Sequence, residues 1–252
     1  MPVHLYGYMC DMRRLRDIAD KHKLIIIEDA AHCLEGARDG VRVGQLAEAA
    51  CYSFYATKSI TSGEGGAISL HDPGKADLLR KLRSHGIDRT AADRYTAQYR
   101  HWDMSILGWK YNMDNIQAAL LIGQLKRAEA LRGRRNALAQ RYETALAGVH
   151  GVRVHKTAPT AKHGRHLFTV LVSPEKRDGI LHFLQENGVG VAVNYTAVHL
   201  LSYYRRHFGH KEGDFPMAEA IGSGTISLPL YPKLTDAEQD YVVAKVIEAV
   251  KR

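Results

Sequence analysis

Three cysteines are all that the 252-residue chain carries, an odd count without metal or redox spacing. Cys10, Cys33 and Cys51 therefore read as reduced thiols, which suits the cytoplasm and excludes a disulfide-stapled scaffold. Long apolar runs are missing as well. Stretches such as Leu24-Ile25-Ile26-Ile27 are far too short to cross a bilayer, so no membrane partner is expected. Met1-Pro2-Val3-His4 has neither the basic n-region nor the long apolar h-region of a secretory signal. Proline is sparse, and no Pro/Ser tract or internal repeat marks a linker. Acidic residues are in deficit, 27 against 35 lysines plus arginines, for a net charge of +8. Such a surplus invites a nucleic-acid reading. Yet the densest basic stretch, Lys126-Arg127 through Arg134-Arg135, has no zinc-finger spacing, RNP-like aromatic motif or basic-zipper heptad. It reads as the solvated face of a helix. An anionic small substrate suits the charge equally well, and no nucleic-acid partner is expected.

What remains is globular in composition, with 45% hydrophobic and 25% charged residues, which excludes disorder for most of the chain. Asp11 can cap a helix carrying Met12, Leu15, Ile18 and Ala19 on one face. The run Leu24–Ile27 then suits a strand buried on both faces of a parallel sheet, ending at Glu28-Asp29. Short strands are expected at Ala50–Phe54 and Ala67–Leu70, with the Gly63–Gly66 loop between them. Asp72-Pro73 opens a helix through Leu82, and Gly86 lies just past its end. Residues 88–108 are irregular and polar. A long helix starts near Asp114, which with Gln117 forms a capping-box variant, and runs to about Leu146. Beyond it the texture changes: a strand at His166–Val172, a helix from Ser173-Pro174 to Glu186, a strand at Val189–Val193, and a terminal helix capped by Thr235 and Glu238, ending near Val250. The expected organisation is a larger α/β part over 1–125, a bridging helix over 126–150 and a smaller α+β part over 151–252.

Chemistry points to three positions. A carboxylate at the end of a parallel strand commonly faces a ligand crevice, although Glu28-Asp29 could also be a surface pair or a helix cap. Lys58 lies between a strand and a glycine turn, amid small hydroxyl and aromatic residues, unlike a lysine on a helix face. Partial desolvation lowers a lysine pKa, and the free amine can attack a carbonyl. Ser53 stands five residues earlier, with a hydroxyl able to bind a phosphate, and the nearby glycines let backbone amides approach an anion. Acid, lysine and serine together meet the needs of pyridoxal 5'-phosphate: a partner for the ring nitrogen, an imine-forming amine and a phosphate donor. His32, three residues after Asp29, could stack on or bond near that ring; otherwise it is a packed loop histidine.

Blocks in order along the chain carry a resemblance. They are Pro2–Gly7, Glu28-Asp29-Ala30-Ala31-His32, Ser53–Lys58, Gly63–Ala67, His85-Gly86, Gly108–Met113, Gln117-Ala118-Ala119, Gln124-Leu125, His199 with Tyr203-Tyr204, and Ser227–Pro232. Over essentially its whole length the chain resembles the DegT/StrS sugar aminotransferases. The resemblance implies a fold-type I, aspartate aminotransferase-like α/β fold: part of a large domain with a mostly parallel sheet, plus a small α+β C-terminal domain. It implies a homodimer with sites at the subunit interface. Lys58 would carry the cofactor and act as general acid/base, Asp29 would pair with the ring nitrogen, His32 would lie against the ring and Ser53 would bind the phosphate. Lys110 or Asn112 would lie near the phosphate or the sugar nucleotide, while Tyr195 and His199 would border the substrate pocket.

The implied activity is transfer of an amino group, from an amino acid such as glutamate, to a keto sugar nucleotide, with the 4-keto position favoured. Retention of Lys58 argues against a sugar dehydratase of the same fold. Asn194 stands where many relatives have His. Relatives also carry a segment before the Pro-Val-His block, roughly a third of their chain, that supplies part of the cofactor cradle. An alternative expectation is therefore a catalytically incomplete fragment, non-enzymatic or needing a partner.

Overall fold

The computed structural model describes residues 1–88 and 101–252 and divides into two compact units. Most of the polar stretch expected at 88–108 falls at 89–100, outside the described residues. The first unit comprises Met1–Leu5 and Met9–Ala128, and the second Tyr6–Tyr8 and Glu129–Arg252.

In the first unit, Asp11 accepts from the Arg14 amide and opens helix α1 (Met12–His22), which buries Met12 and Ala19. Lys23 ends it in a left-handed conformation. Strand β1 is shorter and later than the apolar run suggested: it spans Ile27–Asp29. Leu24 instead bonds back to the Ala19 carbonyl, and the Ile26 amide donates to the Glu48 side chain at 2.7 Å. Leu24 and Ile25 are exposed, so the run is not a strand buried on both faces. Leaving the helix consumes its first residues.

Next come β2 (Ala37–Arg38) and β3 (Val41–Arg42), an antiparallel pair, then β4 (Ala49–Ser53) and β5 (Gly66–Leu70). Strand β1 lies parallel to β4 with Asp29 opposite Cys51, and β4 pairs antiparallel with β5 with Cys51 opposite Ile68. Val3 adds a parallel bridge to Asp29. Helix α2 (Pro73–Leu82) is capped by Asp72, whose carboxylate accepts from Gly74 and Lys75.

Alternation along β1 sends neighbouring carboxylates to opposite faces. Glu28 is fully buried; its Oε2 accepts from His4 Nε2 at 2.7 Å and from the Gly44 amide at 3.0 Å. The Cys10 amide donates to His4 Nδ1 at 3.2 Å, so Nε2 holds the imidazole hydrogen and donates it to Glu28. Backbone bonds from Asp29 to Pro2 and from His4 to Asp29 close the same seam, at 2.9 and 3.0 Å.

Helix α3 (Asn115–Ala145) opens with the Gln117 amide on Asp114 Oδ1 at 2.9 Å. In the second unit, β6 (Arg153–Val154), β8 (Phe168–Leu171) and β9 (Thr225–Leu228) form an antiparallel sheet in the order β6-β8-β9, and the two-residue β7 (Ala161–Lys162) lies outside that sheet. Every residue of β8 and β9 is buried, the hydroxyl residues Thr169, Thr225 and Ser227 included. Helices α4 (Pro174–Glu186), α5 (Ser202–Phe208), α6 (Pro216–Gly224) and α7 (Asp236–Val250) complete the unit. The α7 cap is the expected box, Thr235 and Glu238 bonding reciprocally.

The stretch expected as a strand at Val189–Val193 makes only a single bridge, Ala192 to Ser227. Gly190 within it offers no side chain to pack. The basic stretch of α3 is also not a solvated face throughout. Arg135 is 3% exposed and donates to the carbonyls of Arg165 and Gly164 at 3.0 and 3.3 Å. Arg134 donates to the Leu234 carbonyl at 2.7 Å. These guanidiniums satisfy loop carbonyls that would otherwise be buried without a donor.

Removing His4 leaves the buried Glu28 carboxylate with only the Gly44 amide as a donor. His4→Ala should destabilise the chain by about 3–5 kcal/mol, read from urea unfolding. A change well under that range would show that the seam does not depend on the pair.

Candidate functional site

The candidate site begins on the face of the first unit's sheet opposite Glu28. Asp29, Cys51 and Ser53 share that face, since Asp29 pairs with Cys51 and Ser53 follows at the two-residue period. Asp29 Oδ1 accepts from the Ala31 amide at 3.0 Å, a turn that holds the carboxylate at the strand end and starts the chain toward His32. Its second oxygen makes no hydrogen bond among the described residues. The Ser53 hydroxyl accepts from the Tyr55 amide at 3.3 Å, which leaves its own hydrogen to donate.

Beyond Ser53 the chain makes a tight loop whose base is buried at Phe54, Ile60 and Ser62. The Phe54 amide donates to Gly65 at 2.8 Å, and the Phe54 carbonyl accepts from the Ser62 amide and the Thr61 hydroxyl at 3.0 and 3.1 Å. Gly65 has a positive φ of 142°, and a Cβ there would meet the Ser62 hydroxyl at 3.0 Å and the Met113 methyl at 2.4 Å. The glycine expected to admit an anion thus also permits the loop to close.

Lys58 is half-buried in this loop, and its amine has neither hydrogen bond nor ion pair among the described residues. Burial pushes the Lys58 amine below the ordinary lysine value, against an opposing pull from Asp29. Burial likewise pushes His32 down from 6.5 to about 4, aided by the charge of Lys58 and opposed by Asp29. Burial and Asp29 together raise the Cys51 thiol. These mutual influences put Asp29, His32, Lys58 and Cys51 within one electrostatic neighbourhood. Cys51 had no signal in the sequence, because only the register of β1 against β4 sets it beside Asp29.

Lys110 and Asn112 belong to the same unit but to another segment. The Lys110 amine donates to Asn112 Oδ1 at 2.6 Å, and no bond joins either to Asp29, His32, Ser53 or Lys58 among the described residues. Their segment is fastened to the end of α2: Trp109 donates to Leu82, Tyr111 to Arg83, and His85 to Trp109, at 2.7–2.9 Å. This seam is so close that a Cβ on Gly108 would fall 2.2 Å from the Gly86 nitrogen and 2.8 Å from the Leu82 oxygen.

Tyr195 and His199 lie in the second unit. Tyr195 follows Asn194, whose backbone carbonyl accepts from the Tyr6 hydroxyl and whose Oδ1 accepts from Ser227 Oγ at 2.8 Å. His199 is buried and bonded to Glu219, a partner twenty residues away that sequence reasoning missed. The only trace of Glu219 was its place in the first turn after Pro216.

Comparison with known proteins defines the class. The DegT/DnrJ/EryC1/StrS aminotransferase family profile matches residues 1–247, and the chain belongs to that family. Spore coat polysaccharide biosynthesis protein SpsC of Bacillus subtilis is 36% identical over 258 residues, covering all of this chain and 66% of SpsC. Among solved structures, S. venezuelae DesV matches with a TM-score of 0.87 and 35% identity, covering 99% of this chain and 64% of DesV. Spr1654 of Streptococcus pneumoniae, in its PLP-form, matches at 0.90 with 28% identity, covering 99% of this chain and 67% of that one. The fold is accordingly that of fold-type I aminotransferases, and the chain spans about two thirds or slightly less of these relatives.

Two outcomes test the geometry. Unfolded, the His32 imidazole takes its proton near 6.5, whereas folded it waits until about 4. The unfolded state therefore gains protons first as pH falls, and stability drops between about 6.5 and 4. His32→Asn should flatten that part of the stability profile in urea titrations; an unchanged profile would show that burial does not hold the ring uncharged. Gly108→Ala meets backbone rather than a movable side chain, so it should cost about 1–3 kcal/mol by overpacking, measured by thermal unfolding. A neutral result would mean the seam can open.

Proposed function

We propose that the chain carries the lysine-centred site of a pyridoxal-phosphate-dependent transaminase that moves an amino group from an amino acid, glutamate, to a 4-keto sugar nucleotide. The observation that carries this reading is the half-buried Lys58 amine, unpartnered among the described residues and shifted toward its neutral form beside Asp29 and His32. The donor set fits the cofactor: an amine for its aldehyde, an open carboxylate oxygen for its ring nitrogen, an uncharged aromatic ring and a phosphate-ready hydroxyl.

When bound, the cofactor supplies an electron sink for the pair left as the donor's α-proton departs. The protein's part is positional and protonic. Asp29, pinned through one oxygen by the Ala31 amide, keeps the other to accept a hydrogen from the ring nitrogen. His32, uncharged at neutral pH, offers a flat face without adding positive charge. Ser53 Oγ, which already accepts from the Tyr55 amide, would donate to a phosphate oxygen. Lys58, with more free amine than an exposed lysine has, would accept the donor's α-proton at Nζ and hold it there for return. Lys110, Asn112, Tyr195 and His199 are assigned to the sugar nucleotide, whose diphosphate a net charge of +8 attracts. A homodimer completing the site, in the cytoplasm, belongs to the same proposal; no helix among the described residues is long and apolar enough to cross a membrane.

A second reading has its own observation. Val3, Ile27 and Ile68 share the sheet face of Asp29 and are 42–50% exposed. An uncovered apolar face there favours a stretch of chain that gains turnover only when that face is covered.

The test is an absorbance spectrum of the chain with added pyridoxal phosphate, before and after glutamate. The expected result is a visible protein-bound band that changes with glutamate and is abolished by Lys58→Ala. A band undiminished in Lys58→Ala overturns the lysine assignment, and a free-cofactor spectrum in the unaltered chain favours the second reading.

A further inference from the structure

His199 is the buried member of a cluster of polar and aromatic side chains. Its side chain is 8% exposed, in the short 3-10 turn Val198–Leu200. Nε2 lies 2.9 Å from Glu219 Oε1. The carboxylate receives three further hydrogen bonds: from the Gly213 amide to both oxygens at 2.9 and 3.0 Å, and from the Phe215 amide at 3.2 Å. The Gly213 amide is the foremost cause holding Glu219 below the ordinary carboxyl range, against the effect of burial. A carboxylate only accepts, so an imidazole hydrogen resides on Nε2, and in the neutral ring Nδ1 keeps its lone pair. Nδ1 has no hydrogen bond among the described residues.

The same loop grips the ring from its sides. Phe215 meets His199 edge-on with centroids 4.9 Å apart, and His210 does so at 6.0 Å. Glu219 therefore acts twice: directly on the imidazole, and through Gly213 and Phe215 on the loop that packs against it. Such a carboxylate–histidine pair selects one tautomer and one ring orientation.

We propose that Glu219 is the positioning residue of His199, fixing the tautomer in which Nδ1 is an acceptor for a donor on the substrate, such as a sugar hydroxyl. This rests on the reading of His199 as a substrate-side residue. Glu219 itself touches no reacting atom in this scheme. Its effect is expected on substrate affinity rather than on the chemical step.

The test uses the full chain with 15N-labelled histidine. The expected spectrum contains a slowly exchanging Nε2–H resonance that vanishes in His199→Gln, which assigns it. Glu219→Ala removes the slow exchange, and Glu219→Gln, which keeps an acceptor oxygen, restores part of it. Asp214→Asn disturbs the same loop through His210 and the Lys211 amide, both 3.1 Å from Asp214, and leaves the resonance in place. In transamination, Glu219→Ala raises KM for the keto sugar nucleotide about tenfold with kcat little changed. Combined with His199→Gln it adds nothing further, because both act through one ring. Exchange in the unaltered chain as fast as in Glu219→Ala overturns the pairing, and so does full additivity of the two KM effects. If His199→Gln leaves KM unchanged while the resonance still depends on Glu219, the substrate-side reading of His199 falls and the pairing itself is supported.

Discussion

The buried hydrogen bond between His4 and Glu28 is the constraint on which the first unit's site depends. It joins the entering segment to β1, while the Gly44 amide ties the same carboxylate to the β2–β3 region. A carboxylate 0% exposed can persist only where donors converge on it. Once Glu28 is committed to the interior, the two-residue period of the strand leaves Asp29 on the opposite face. Two adjacent acids thus acquire opposite duties, one binding the chain to itself and the other left with an open oxygen.

Register carries that placement onward. The parallel pairing of β1 with β4 sets Cys51 beside Asp29 and brings Ser53 onto the same face. The loop from Phe54 to Gly65 then returns Lys58 toward this neighbourhood, held by bonds that converge on the buried Phe54. Burial is the larger influence on both Lys58 and His32, and each is pushed toward its uncharged form. Asp29 opposes the shift at both, yet burial prevails. An amine and an imidazole can therefore lie side by side without strong mutual repulsion.

A different arrangement governs the second unit. Its core is aromatic and aliphatic, with Tyr142 fully buried and stacked on Phe168 at 4.9 Å, its hydroxyl satisfied by the Pro229 carbonyl. Polar groups near that core are paired by long-range partners: Arg165 with Glu143 at 2.8 Å, Gln239 with the Leu138 carbonyl at 2.7 Å, and His199 with Glu219. The partners in these pairs are separated by 20 to 101 residues, so folding has to bring distant segments together to satisfy them.

Local chemistry was legible in the sequence. Asp11, Asp72, Asp114 and Thr235 each accept a helix-start amide, because capping needs only a side chain and the amides two or three residues on. Lys58, Asp29 and Ser53 stood out in the sequence as a candidate set, since their residue types are those a phosphate-bearing aldehyde requires. The sequence did not show that Glu28 would be bonded to His4 in the interior, nor that Leu24–Ile26 would be spent on leaving α1. It also hid Arg135 behind a basic run and gave Glu219 no visible tie to His199. Caps and motif order are determined over a few residues, whereas strand register, burial and the pairing of distant polar groups exist only after remote segments meet, and those were decided by the tertiary structure.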